Sequence, residues 1–333
     1  MAGIIFSESS GVNDSVFGKS QEPIKLFVEK KAETWEEQSA IDKIYSIDTS
    51  KNAMEKLTSM TSMNGFMPTG EGGAYPHDEM QEGYDKVLSH ITWKDSFTIT
   101  QEMVEDSKLM DFRSRPASFI SGFYRTREMY GAALLAGGLA GTSATFRGQA
   151  CSTAGADGKA LFAKDHPAKV KGKAQTNLFA GAFSNENLAK LEARMQDFRD
   201  DNGNVLSVIP DTIIIPNDGA LKLDVFAAIG ADKDPDTSNN GFNFTFGRWN
   251  VIVWQYLNQF MDLTTDKPYI LLASGYNEEN GGAVWLDRIK LEVKSYIDEN
   301  TDNNVWKGRA RFVAGFNDWR AFAVGGVTGG STL

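Results

Sequence analysis

Residues 284–316 read VWLDRIKLEVKSYIDENTDNNVWKGRARFVAGF. Trp285, Asp287, Ile289, Leu291, Val293 and Ile297 fall on one face of a period-two pattern, with Arg288, Lys290, Glu292 and Lys294 on the other. Residues 298–304 are polar and turn-forming. After them Trp306, Gly308, Ala310 and Phe312 alternate with Lys307, Arg309 and Arg311. The pattern predicts two long antiparallel strands with charged outer faces, which need a helix or a partner surface to stabilise them. Residues 318–324 read as one more short strand before a Gly-rich tail.

Upstream the period changes. Arg115-Pro116 places a proline where a helix starts, and Phe119, Ile120, Phe123, Tyr124, Arg127, Tyr130, Leu134 and Leu135 recur at three- and four-residue intervals up to Gly137-Gly138. This spacing predicts a helix over about 116–137, roughly 33 Å long at 1.5 Å per residue, with Arg125 on its outer face. Residues 108–173 hold eleven Lys and Arg against four Asp and Glu, whereas the whole chain holds 34 against 44. One helix-centred segment is therefore +7 and the rest −17, within a net −10. That polarity predicts a basic surface on an acidic body; five of the eleven cations lie in 159–173 alone, which also reads as a solvated loop.

Between helix and long strands the elements alternate. Residues 185–200 fit a helix with Ser184 as N-cap and Leu188, Leu191, Met195 and Phe198 on one stripe. Thr212, Ile213, Ile214 and Ile215 form a short strand between Pro210 and Pro216, apolar on both faces. Residues 219–229 read as a helix, and 242–246 and 249–254 as strands, which together imply a compact α/β lobe.

Residues 53–100 read as a long, open hairpin. In its second limb Val87, Ser89, Ile91, Trp93, Asp95, Phe97 and Ile99 alternate with Leu88, His90, Thr92, Lys94, Ser96 and Thr98. Residues 57–63 are the weaker first limb, and 68–76 form a Gly/Pro-rich tip too long for a tight turn. Met54, Met60, Met63, Met67 and Met80 concentrate here, five of 11 methionines; unbranched thioethers suit either an adaptable partner surface or core filling. Residues 1–50, with nine acidic and five basic residues, carry only short apolar groupings. They predict an extended arm that orders against something else, with Trp35 as an anchor and a short helix over 29–45.

Most catalytic chemistry is excluded by scarcity. The 333 residues, about two domains or one elaborated fold, contain one Cys and three His. Cys151 allows no intrachain disulfide or CxxC site, and its isolation fits a reducing cytosol. His77, His90 and His166 form no metal-binding spacing, and no phosphate-cradling glycine motif or GxSxG elbow occurs. A Cys151, His166 and Asp165 nucleophilic set competes with the simpler reading of a small buried Cys and a loop His. No run of about 18 apolar residues spans a membrane, and Met1 to Glu8 do not form a secretory signal.

The order of arm, long hairpin, long helix, α/β lobe and long terminal strands resembles the major capsid proteins of tailed phages, the Hong Kong 97 fold shared with encapsulins. LFAKDHP at 161–167 resembles the LFxxDHP segment of the Mu-like head-subunit branch, and residues 306–313 with 318–321 resemble the closing strands of such proteins. The resemblance implies an α+β capsid fold with an N-terminal arm (1–49), an extended loop (50–100), a peripheral domain (101–165 and 276–314) around a spine helix, and an axial domain (166–275 and 315–333). It implies a shell subunit without cofactor or metal that forms homo-hexamers and homo-pentamers. Trp35, Met60, Met63, Phe66, Met67, Tyr75, Met80 and Tyr84 become expected inter-subunit contacts, and Arg113, Arg115, Arg125 and Arg127 expected inward residues facing packaged double-stranded DNA without sequence specificity. A separate scaffolding protein, a portal and a decoration protein are the other expected partners, with assembly in the bacterial cytoplasm and residence in the virion. No lysine occurs in 57–85, so a lysine cross-link could start only from Lys56, Lys86 or Lys94. An encapsulin-like nanocompartment and a cysteine-dependent hydrolase are the alternatives.

Overall fold

The computed structural model describes residues 4–60, 63, 65–77, 82–106, 109–230, 243 and 245–333, without the side chains of residues 60 and 109–113. In chain order the elements are β1 (Ile5–Glu8), α1 (Gly18–Gln38), α2 (Ile41–Ile44), β2 (Ser46–Thr49), β3 (Met54–Met60), β4 (Glu82–Ser89), β5 (Ile91–Ile99), α3 (Gln101–Glu105) and α4 (Leu109–Ala140). They continue as β6 (Ser143–Phe146), β7 (Gln149–Ser152), α5 (Asn185–Gln196), β8 (Thr212–Ile215), α6 (Gly219–Gly230), β9 (Asn250–Val253), β10 (Tyr269–Leu272), α7 (Ser274–Asn280), β11 (Ala283–Ile297), β12 (Asn304–Phe316) and β13 (Phe322–Gly325).

The two long strands form as their alternation predicts, paired antiparallel from Ala283 opposite Phe316 to Ile297 opposite Asn304, with irregular register between Asp287 and Glu292. β5 adds antiparallel to β12. On the other edge of β11, β1 and β2 pair in parallel at successive positions. The sheet's inner face packs on α4: Phe119, Ile120 and Tyr124 meet Ile99, Leu291, Val293 and Trp306. Gly308 is required there, because a Cβ on it would lie 2.4 Å from the Phe119 ring.

α4 is longer than expected at both ends. Pro116 lies within it rather than at its first turn, and Gly137-Gly138 do not stop it. A Cβ on Gly137 would come within 2.6 Å of Ala144, and one on Gly138 within 2.8 Å of Leu161. These glycines let the β6–β7 hairpin and the segment after it approach the helix. β13, β10, β8 and β9 form a second sheet, with β8 parallel to β9 and antiparallel to β10. Ser184 caps α5 by accepting from Asn187 N at 3.1 Å. Residues 245–248 are a turn rather than part of a strand, and a 3-10 turn at Trp319–Ala321 precedes β13 where a single strand was expected.

Two expectations need correction. The arm is not extended over residues 18–44, and its helix is Gly18–Gln38 rather than 29–45. Ile24, Val28 and Ala32 form a one-per-turn stripe buried against Phe119 and Tyr124, where full burial of Ile24 and Val28 contributes roughly 1.5–3 kcal/mol each. The hairpin's second limb is also two strands. β4 pairs with β3, whereas β5 belongs to the long-strand sheet. In β4 the even residues Lys86 and Leu88 are buried, while in β5 the odd residues Trp93, Phe97 and Ile99 turn inward, so side-chain parity switches at His90.

Candidate assembly surfaces

β3 and β4 carry the extended loop away from the body. Lys56 pairs with Asp85 across them at 2.9 Å, and Ser59 Oγ donates to Tyr84 O at 3.1 Å. The close strand approach leaves no room for a side chain at Gly83, whose Cβ would lie 2.2 Å from Ser59 Oγ. The loop's base is held firmly. Leu88 is buried with Val284, Leu286 and Val313, and Lys86 Nζ donates to Ser152 Oγ and to Ala154 O, each at 2.8 Å. Burial pushes the Lys86 ammonium below its ordinary lysine value. Lys169 Nζ donates to Gly83 O and sits over the Tyr84 ring. Lys86 is thereby committed within the subunit and is a poor starting point for a cross-link.

Toward the tip the apolar groups are uncovered by any of the described residues. Phe66 and Tyr75 are 108% and 101% exposed, with Met63 and Met67 exposed beside them. Four large apolar side chains exposed within one loop exceed the single, scattered exposure that needs no explanation. Met80 and the Met60 side chain lie outside the described residues, and Tyr84 is half-buried at the base.

The remaining expected contacts separate. Trp35 is corrected from an arm anchor on a neighbour to an internal contact: its Nε1 donates to Ser121 Oγ at 3.3 Å and its ring stacks on Tyr124. Arg127 is corrected from a DNA-facing residue to a buried one. Its guanidinium donates to both Asp287 carboxylate oxygens at 2.8 and 3.3 Å and lies 4.7 Å from the Trp285 ring centroid. Arg115 is exposed and donates to Thr98 O, Arg125 is exposed on α4, and the Arg113 side chain is outside the described residues. The four arginines therefore do not form one basic band.

Sequence patterning does not single out Glu128, which joins three parts of the chain. Its carboxylate accepts from Ser39 Oγ at 2.7 Å, Ala40 N at 3.1 Å and Trp254 Nε1 at 2.8 Å. Burial pushes the Glu128 carboxyl up, opposed by these donors. A lone Glu in an apolar stripe is the only hint of it in the sequence.

The structure does not bring Cys151, His166 and Asp165 together. His166 is fully buried, with Nδ1 2.6 Å from Asp157 Oδ2 and Nε2 3.1 Å from Asn177 Oδ1. Its ring stacks on Trp319 at 4.2 Å. Both nitrogens are thus engaged by groups other than Cys151. The Cys151 thiol is buried beside Gln149 O, and burial pushes it above its ordinary value, opposite to what a nucleophile needs. Asp165 instead pairs with Lys159. Among the described residues no group of three acidic, His or Cys side chains could hold a metal ion, and no helix is long and apolar enough to cross a membrane.

A family model described as phage capsid protein matches residues 84–325, and the chain belongs to that family. Its element order, with an arm helix, an extended hairpin, a spine helix and paired long strands, is the α+β arrangement of the Hong Kong 97 type, and the chain is a major capsid protein, a structural component of the virion. Three solved structures are similar to it. That of Microbacterium phage Oxtober96 is 11% identical over 89% of this chain and 91% of its own, with TM-score 0.47. The capsid of the native GTA particle is 10% identical over 88% and 90%, with TM-score 0.49. The capsid of bacteriophage JBD30 decorated with minor capsid protein trimers is 13% identical over 66% and 91%, with TM-score 0.46. No curated protein sequence matches the chain.

Proposed function

We propose that copies of this chain assemble as hexamers and pentamers into the icosahedral head of a tailed phage, around a double-stranded DNA genome, with each extended loop lying across an adjacent copy. The observation that carries this reading is the contrast within the loop. Its base is fixed by Leu88, Lys86 and Lys169, while Phe66 and Tyr75 stand uncovered. A loop anchored at its base with apolar groups left uncovered toward its tip offers those groups to a partner. Individually modest contacts suffice in a closed lattice, because each one formed raises the effective concentration for the next.

The same reading takes residues 50–89 as the extended loop, the long-strand sheet with β1, β2 and β5 as the peripheral domain, and the β13–β10–β8–β9 sheet as the axial domain. It places assembly in the host cytoplasm with a separate scaffolding protein, a portal and a decoration protein. Exposed Arg115 and Arg125 are its candidates for non-specific contact with DNA. LFAKDHP is read as the mark of the Mu-like branch, supported by the interior positions of Leu161, Phe162 and His166.

Limited chymotrypsin digestion tests the loop. Dissociated subunits are expected to be cut first after Phe66, because Pro76 blocks the bond after Tyr75, and assembled shells at least tenfold more slowly at that bond. Equal cutting in both states would contradict the reading.

A further inference from the structure

The outer face of the long-strand sheet, turned away from α1 and α4, carries charges in an arrangement that does not help the isolated subunit. Residues directly opposite on neighbouring strands share a face. Arg309 stands opposite Lys94 on one side and Glu292 on the other, and Lys294 stands opposite Lys307. Arg311, two residues along from Arg309, continues the row. Five cations thus share a face with one carboxylate, Glu292, which is 3.4 Å from Arg309, and the Lys307 ammonium also lies 4.4 Å from the Tyr296 ring centroid. Lys94, Lys294, Lys307 and Arg309 border a depression of about 660 Å³.

Like charges directly opposed across strands destabilise a sheet. Lys294 with Lys307 and Arg309 with Lys94 are two such pairs, in adjacent rows of the longest strands in the protein. A local rule broken twice on one surface points to a function that compensates for it, and here that is an anionic partner.

The chain itself contains a segment of the opposite character. Residues 57–85 include Glu71, Asp78, Glu79, Glu82 and Asp85 and have no Lys or Arg at all. We propose that the cationic outer face of the β11–β12–β5 sheet is the surface that receives the acidic extended loop of a second copy, and that this attraction sets the register of the contact. The proposal rests on the reading that the loop lies on an adjacent copy, and adds which face accepts it and by what force. Charge complementarity of this kind steers association and excludes wrong registers. Salt weakens it.

The test is charge reversal with rescue. Lys294→Glu with Lys307→Glu is expected to lower shell yield, measured by sedimentation and electron microscopy, at least tenfold, while the unfolding midpoint of the dissociated subunit stays level, because one like-charge pair replaces another. Adding Glu71→Lys and Glu82→Lys to the reversed protein is expected to restore at least half of the wild-type yield. If the reversed protein does not fold, Lys294→Gln with Lys307→Gln replaces it, with a loss of at least threefold expected. Wild-type yield from the sheet variants at every salt concentration would overturn the proposal. So would a sheet variant that assembles normally yet loses a mobility shift of duplex DNA, since that would assign the face to nucleic acid. A chain lacking residues 64–76 separates the two levels: if it fails to assemble while the sheet variants succeed, the loop reading stands and this proposal falls. If it assembles, the loop reading itself falls.

Discussion

Replacing Arg127 with methionine is expected to destabilise the dissociated subunit by about 3–5 kcal/mol, the cost of leaving a buried charge without its partner. The Arg127 and Asp287 side chains are only 11% and 9% exposed. Asp287 Oδ1 also accepts from Trp285 Nε1 at 3.0 Å, and the guanidinium lies against the Trp285 and Phe312 rings. Methionine preserves much of the packing but leaves the carboxylate buried with one fewer charged donor. Adding Asp287→Asn to Arg127→Met is therefore expected to recover at least half of the loss, because the uncompensated charge is then gone and the amide oxygen still accepts from Trp285. Arg125→Met, on an exposed position of the same helix, should change stability by no more than about 0.5 kcal/mol. Urea unfolding followed by tryptophan fluorescence distinguishes these outcomes. Equal effects at 125 and 127 would show that Arg127 is not the tie between spine helix and sheet.

Deleting residues 64–76 is expected to reduce shell yield more than tenfold while leaving subunit stability within about 0.5 kcal/mol of wild type. Within the segment Phe66 and Tyr75 are fully exposed, and a backbone bond from Gly73 N to Gly70 O is local to it. Shortening a flexible loop changes closure entropy only slowly with length. The effect should therefore appear in assembly alone. A large fall in the unfolding midpoint would instead place the tip in the subunit's own core.

The long strands, the spine helix, the Ser184-capped helix and the buried β8 were legible because each carries its own periodicity or boundary residues. The capsid resemblance rested on the order of such elements. What escaped has specific causes. Alternation runs unbroken from Val87 to Ile99, so period alone could not reveal that the chain changes partner strand and inward parity at His90. The α1 stripe has one small or branched apolar residue per turn, while the larger Leu26 and Phe27 point outward; the helix is held by α4 and the sheet rather than by its own amphipathicity. Gly137-Gly138 looked like a stop because sequence cannot distinguish a glycine that ends a helix from one that admits a neighbour. Arg127 lay in the predicted apolar stripe, yet was grouped with exposed arginines because its partner Asp287 is 160 residues away.

The central claim, that the chain is built to fit copies of itself into a closed shell, is tested most directly by electron microscopy of the purified full-length protein, with and without its scaffolding partner. The account predicts capsomers, tubes or closed shells whose formation depends on an intact extended loop. A protein that remains monomeric under every condition, with no capsomers or shells, would contradict it.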